Sequence, residues 1–194
     1  MRSDRLNKVR YRKYTYVVVL LILLVMAFGA WPAAAAESQE YDVYLKLDGI
    51  EGESQARGFE KWIEVQSFSF DVHNTAAGAS TSGAGSSAGK AVPSTILLNK
   101  NFDASSIPLF LNTVTAKSLE KGQIVFVPSG SEDRKPVITI DLEKVNVSSF
   151  SMYETNETIE LSYGSIAIKY NMVGPTGKVT TVTGGWDFTK NVKK

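Results

Sequence analysis

The chain has no cysteine and only one histidine, His73, among its 194 residues. Without cysteine there is no disulfide, no thiolate nucleophile, no sulfur-ligated metal and no thiol to carry a lipid anchor. With one histidine, the Ser-His-Asp and Cys-His arrangements and the common zinc sites lack the groups that they need. His73 falls at the end of a predicted strand with no positioned partner nearby, so it is read as non-catalytic. An excess of charge of one sign is missing too, since 21 Lys and Arg stand against 20 Asp and Glu for a net +1.

The bases are unevenly spread. Arg2, Arg5, Lys8, Arg10, Arg12 and Lys13, opposed by Asp4 alone, form a basic head, and Val17 to Ala30 follows without a charge. Pro32 then interrupts any helix, and Ala33 to Ala36 offers the small side chains that a signal peptidase accepts. Residues 1–36 are therefore expected to be a signal peptide cleaved after Ala36. The alternative is an uncleaved membrane anchor, because residues 17–36 reach the roughly 20 apolar positions of a spanning helix only if Pro32 and the alanine run are counted. Losing six bases and one acid moves the net charge from +1 to about −4, which leaves no basic footprint for nucleic acid or anionic lipid. Residues 37–194 are expected to form a single domain. A chain of that size buries roughly 70% of its unfolded surface and needs no staple.

Period-two patterns with β-branched and aromatic residues dominate that domain. Strands are predicted over Tyr41–Leu47, Trp62–Val72, Ser94–Asn99, Ile124–Val127, Val137–Phe150, Thr158–Met172 and Lys178–Thr183. In the long ones the apolar parity switches partway. Ile63 and Val65 give way to Phe68, Phe70 and Val72; Ile138, Ile140 and Leu142 to Val145 and Val147; Ile159, Leu161 and Tyr163 to Ile166, Ile168 and Tyr170. A parity change turns the core face outward unless a bulge absorbs it, so bulges or corners are predicted at Gln66-Ser67, Glu143-Lys144 and Gly164-Ser165. One helix is predicted, capped by Ser105 or Ser106, with Pro108 in its first turn. Its apolar face, Ile107, Phe110 or Leu111 and Val114, runs up to about Leu119, before Gly122, and is expected to plug or flank a barrel end. The fold class is all-β with one short α-helix, a compact bent-strand β-barrel. Residues 74–91, a Gly/Ala/Ser/Thr run, are predicted to be a long flexible loop, either a floppy surface loop or a segment that orders only against a neighbouring subunit.

Candidate chemistry is sparse. Gly83 to Ala91 superficially matches a phosphate-binding loop, but Ala84 replaces the required first glycine and Ala91 the hydroxyl after Lys90. Asp48, Glu51 and Glu53, and again Glu154, Glu157 and Glu160, are acidic clusters without the spacing of a calcium loop. Asn146-Val147-Ser148 and Asn156-Glu157-Thr158 are sequons, which matter only in a eukaryotic secretory host. No catalytic, cofactor-binding or metal-binding residue is assigned, no cofactor is expected, and binding or assembly is favoured over catalysis. Trp62, Trp186 and Phe188 are expected in the core rather than at a subunit interface.

The opening strand and turn, Tyr41-Asp42-Val43-Tyr44-Leu45-Lys46-Leu47-Asp48-Gly49-Ile50-Glu51-Gly52-Glu53-Ser54, closely resembles that of the Hcp family, the haemolysin-coregulated tube proteins of type VI secretion. Similar in order are Ile63 to Phe70, the loop running into Gly89-Lys90, Ser106-Ile107-Pro108-Leu109, Val145 to Ser151 and the closing Gly184 to Asn191. The resemblance spans nearly all of Tyr41 to Lys190. It implies a β-barrel with one helix and no enzymatic activity, assembling into hexameric rings that stack as a tube. It also implies a sheath around that tube, a spike protein as its cap and small effectors as its cargo. Residues 74–91 would correspond to the loop that meets the adjacent ring. Residues 1–36 depart from the family pattern, since a subunit exported to the periplasm or beyond could not meet a cytoplasmic sheath. The competing reading is an exported binding module on the same barrel, working at the envelope independently of type VI secretion and touching membrane only through residues 17–36 if these stay attached.

Overall fold

The computed structural model describes residues 40–75, 90–174 and 176–194. Their alternating patterns become strands β1 (Tyr41–Leu47), β2 (Ile63–Val65), β3 (Ser67–Ser69), β4 (Val72–Asn74), β5 (Ala91–Pro93), β6 (Ile96–Asn101), β7 (Leu119–Pro128), β8 (Ile138–Tyr153), β9 (Asn156–Ser162), β10 (Ser165–Val173), β11 (Val179–Asp187) and β12 (Val192–Lys193), with one helix, α1 (Ser106–Thr115). The fold is all-β with a single short helix, and every strand pairing is antiparallel. One sheet runs β12-β11-β10-β8-β7-β1-β2, and a second runs β8-β9-β6-β3, so β8 belongs to both. The two wrap one core without an unbroken ladder around it. β4 and β5 pair only with each other, at the two ends of the predicted loop, whose residues 76–89 lie outside the described residues.

The corners fall where parity switches. The Gln66 N–H donates to Asn99 O, carrying the chain from β2, paired with β1, to β3, paired with β6. Lys144 takes φ 53° inside β8, a left-handed value that turns the strand at a corner, while the register against β7 is the same on both sides, Leu119 opposite Val145 and Lys121 opposite Glu143. Gly164 separates β9 from β10, and a Cβ there would lie 3.0 Å from Lys144 Cδ, so the second and third corners fit against each other. The β8–β9 ladder shifts register between Val147 and Ser149, where Val145 and Val147 give way to Phe150 and Met152, a parity change outside the three corners predicted.

Inward positions on both sides of each corner share one core. Leu45, Ile63, Ile96, Leu98, Ile124, Leu142, Ile159 and Leu161 are buried there, each worth about 1.5–3 kcal/mol. An aromatic row, Tyr41, Phe126, Phe68, Phe70, Tyr163 and Phe188, crosses it with centroids 5.2–6.5 Å apart. Phe188 is buried as expected, whereas Trp186 is half-buried against the same core. Trp62 packs elsewhere. It meets a second small cluster of Tyr44, Phe59, Val125 and Val127 on the outer face of β1 and β7, where Tyr44 and Phe59 stack 4.8 Å apart. The segment 51–62 forms this cover, and Gly52 clamps it: a Cβ at Gly52 would meet Trp62 O at 2.4 Å.

The helix differs from expectation in two ways. It ends at Thr115, because Ala116 adopts φ 50°, ψ 34° and sends its N–H to Asn112 O and Thr113 O; Leu119 already starts β7. Its buried residues are Ser106, Leu109 and Asn112, while Ile107, Phe110, Leu111 and Val114 face outward. A buried ionic centre anchors its polar underside. Lys100 and Glu157, 1% and 0% exposed at the side chain, pair at 2.7 Å. The Lys100 ammonium also meets Asp103 at 2.8 Å, Asn101 O at 2.7 Å and Ser106 Oγ at 3.1 Å. Asp103 in turn accepts from the Ser105 N–H and hydroxyl, while Ser106 Oγ accepts from the Asp103 N–H. Ser105 is the N-cap residue, but its side chain makes no capping hydrogen bond because its hydroxyl is turned to Asp103.

Two stability predictions follow from this packing. Lys100→Met leaves Glu157 and Asp103 without their counter-charge and should cost about 3–5 kcal/mol, whereas Lys100→Met with Glu157→Leu should recover most of the loss; urea titrations of the three proteins check the order. The Tyr163 hydroxyl is buried without a hydrogen-bond partner, and burial, aided by the Asp71 charge, pushes its pKa up to about 12 from 10.0. The native state therefore favours the protonated phenol, and the stability this gives, fully present below pH 10, is lost as the pH rises through 12. Tyr163→Phe should be neutral or stabilising at pH 7 and should flatten the alkaline fall in Tm.

Candidate functional site

Turning its polar side inward leaves α1 with an unusual surface. Ser106–Thr115 contains no charged residue, and Ile107, Phe110, Leu111 and Val114 form an exposed stripe at helical spacing, with Val114 61% exposed. Phe110 packs edge-on against Phe150 of β8, centroids 6.0 Å apart. Two residues further along β8, on the face shared with Phe150, Met152 is exposed as well. Exposed Phe102 joins this end of the molecule through its N–H, which donates to Thr155 O in the β8–β9 turn.

A second apolar surface lies on the β10–β11 ribbon. β8 pairs with β10 only as far as Ile138 opposite Tyr170, and beyond that point β10 and β11 pair with each other alone. Tyr170 stands opposite Val182 and Met172 opposite Thr180 on one face, Val173 opposite Val179 on the other, and the five apolar residues Tyr170, Met172, Val173, Val179 and Val182 are all exposed. The two surfaces flank opposite ends of β8. Ile138 and Met152 are separated by roughly 45 Å of strand contour at about 3.3 Å per residue. Monomeric proteins seldom leave two such apolar areas uncovered, and patches of this kind mark contact sites.

The polar candidates disperse instead of converging. Asp48 accepts from the Lys121 N–H, Glu51 pairs with Lys61 at 3.0 Å, and Glu53 accepts from the Ala104 N–H. In the other cluster, Glu157 is committed to Lys100, Glu160 accepts from the Thr95 hydroxyl, and Glu154 sits exposed in the β8–β9 turn with φ 56°. His73 is exposed on β4, 4.0 Å from Asp71. Of the glycine-rich run 83–91, only Lys90 and Ala91 are among the described residues; the rest lies outside them. Among the described residues no group of three or more His, Cys, Asp or Glu side chains is placed to hold a metal ion.

A cleft of about 530 Å³ beside β1 and β2 is lined by Asp42, Glu53, Glu64 and Asp103, among others. Three of its carboxylates are already engaged: Asp42 by Ser129 and Arg134, Glu53 by Ala104, and Asp103 by Lys100 and Ser105. A second cleft of about 470 Å³ carries Lys46, Lys121 and Lys194 with Asp48, Asp141 and Glu143. There the Lys194 ammonium, then the Ser165 hydroxyl, hold the Glu143 carboxyl below its usual range. This is a balanced, solvent-open ionic surface rather than a desolvated reaction centre. No helix among the described residues is long and apolar enough to cross a membrane.

Comparison with known proteins agrees with this geometry. The family model described as "Type VI secretion system effector, Hcp" matches residues 44–170. No curated protein matches the chain. Among solved structures, one described as a type six secretion system protein is 26% identical with a TM-score of 0.72, covering 80% of this chain and 100% of its own. Hcp1 from Salmonella typhimurium is 27% identical, with a TM-score of 0.64 and coverage of 79% and 99%. Hcp2 from the same organism, 22% identical with a TM-score of 0.59, shares the fold over 78% of this chain and 99% of its own. With a family model spanning most of the described barrel and the same architecture in these relatives, the chain belongs to the Hcp family of type VI secretion proteins.

Proposed function

We propose that this chain is an exported structural subunit that closes into a ring, hexameric as in the Hcp resemblance, by seating the α1 surface of one copy against the β10–β11 ribbon of the next. The observation that carries the proposal is the pair of unlike apolar surfaces at opposite ends of β8, of which α1 carries no charge. Two different patches on one chain make a heterologous contact, and repeating that contact closes a ring or extends a filament. Stacking of rings into a tube, with cargo in the lumen, follows the same resemblance, and residues 74–91 would reach the neighbouring ring. The dispersed carboxylates and lone histidine support a structural role rather than an enzymatic one. Residues 1–36 act as a cleaved signal, which places assembly in the periplasm or outside the cell and away from a cytoplasmic sheath.

Light scattering coupled to size exclusion, on residues 37–194, tests the ring. The expected result is a closed oligomer, with Leu111→Asp and Val182→Asp each giving a folded monomer with an unchanged circular dichroism spectrum. A strict monomer at high concentration would sink the ring and favour the exported binding module. N-terminal sequencing of the exported protein should begin at Glu37; an unprocessed chain starting at Met1 in cytoplasmic tubes would overturn the export route.

A further inference from the structure

Sulfur is confined in an uncommon way. The chain has four methionines and no cysteine, and two of the four, Met1 and Met26, lie within residues 1–36. The other two are the only sulfur atoms of residues 37–194, and both sit on the surface: Met152 is 56% and Met172 41% exposed. Methionine is ordinarily among the residues most often buried. Here the core of Leu, Ile, Val and aromatic side chains takes none. Moreover, each apolar surface holds one of them. Met152 continues the face of β8 on which Phe150 meets Phe110. Met172 lies on the face of β10 that carries Tyr170, which stands opposite Val182, while Met172 itself stands opposite Thr180.

We infer that Met152 and Met172 are sites of oxidative modification by a peroxide-class oxidant, and that their oxidation releases subunits from one another. The inference rests on the ring contact proposed above. The chemistry balances without a further reactant. A thioether sulfur lone pair attacks one oxygen of hydrogen peroxide, the O–O bond breaks as the S–O bond forms, and the departing hydroxide takes up the remaining proton as water. Sulfur loses two electrons and the peroxide gains them. The product sulfoxide is polar and chiral where the thioether was apolar and pliant, so it opposes burial in a Met-containing contact, and methionine sulfoxide reductases reverse it. A chain working outside the cytoplasm meets such oxidants directly, and with no thiol to consume them the two thioethers are the first sulfur that they encounter.

The test uses the purified exported protein, millimolar hydrogen peroxide and three readouts: intact mass with peptide mapping, light scattering, and circular dichroism. The expected result is a gain of about 16 Da at each of Met152 and Met172, assembly weakened by about tenfold or more, and an unchanged fold. Met152→Leu with Met172→Leu, a volume-conserving exchange, should assemble normally and resist peroxide, and reductase treatment should restore assembly of the wild type. Oxidised wild-type protein that keeps its oligomeric state overturns the inference while leaving the ring intact. Equal peroxide sensitivity in the double variant overturns it by assigning the effect to other side chains. Protein that is monomeric before treatment defeats the ring reading itself and this inference with it.

Discussion

A lysine and a glutamate buried side by side must neutralise each other, and each further hydrogen-bonding position that finds no partner adds to the cost. Around the Lys100–Glu157 pair the ammonium recruits Asp103, Ser106 Oγ and the Asn101 carbonyl, while Glu157 Oε1 stays buried without a partner, and two of the recruits, Asp103 and Ser106, lead the chain into α1. The ionic centre therefore fixes more than a local contact. It joins the β6–β9 ladder, where Lys100 stands opposite Glu157, to the first turn of the helix, and it commits the helix's polar edge to the interior. Once Ser106, Leu109 and Asn112 point down, the 100° geometry of the helix obliges Ile107, Phe110, Leu111 and Val114 to point away from the barrel. An apolar contact surface outside is the counterpart of a charged anchor inside.

Much of the barrel was legible because parity is a strong constraint. Ile63 and Val65 before Phe68 and Phe70, Leu142 before Val145, and Tyr163 before Ile166 can share one core only if the chain turns a corner between them, and Gln66, Lys144 and Gly164 are where it turns. The Val147–Ser149 shift carries a weaker trace of the same kind, Val145 and Val147 giving way to Phe150 and Met152, of which only Phe150 packs against the core. The helix misled for a different reason. Its hydrophobic spacing is real, but spacing identifies an apolar stripe without saying whether the barrel or another molecule covers it. The outward reading is written in β6 and β9: Ile96, Leu98 and Lys100 share a parity, as do Leu161, Ile159 and Glu157. A lysine and a glutamate that continue two inward-facing rows announce a buried pair, and the acidic grouping of Glu154, Glu157 and Glu160 obscured it by suggesting cation chemistry.

Two features of the surface were hidden from pattern alone. Tyr44 breaks the alternation of β1 because the 51–62 segment folds over the outer face and gives it Phe59 to stack on, a contact set by a close approach at Gly52 and not by strand periodicity. The β10–β11 ribbon looks like any half-buried hairpin until its partners are counted along the strand: β8 simply begins too late to cover Met172 and Val173. Exposure in this fold is thus governed by where strands end relative to one another, which depends on the corners, and so on the same parity switches that shape the core.

The placement of the two apolar surfaces gives any assembly built through them a direction. Because α1 of one copy would meet the ribbon of the next, every subunit in a closed circle faces the same way round, and no two-fold axis relates neighbours. A circle of this kind has two chemically different rims. Further circles added to it meet one rim or the other but never an identical mate, so a stack has a distinguishable front and back before any other protein touches it.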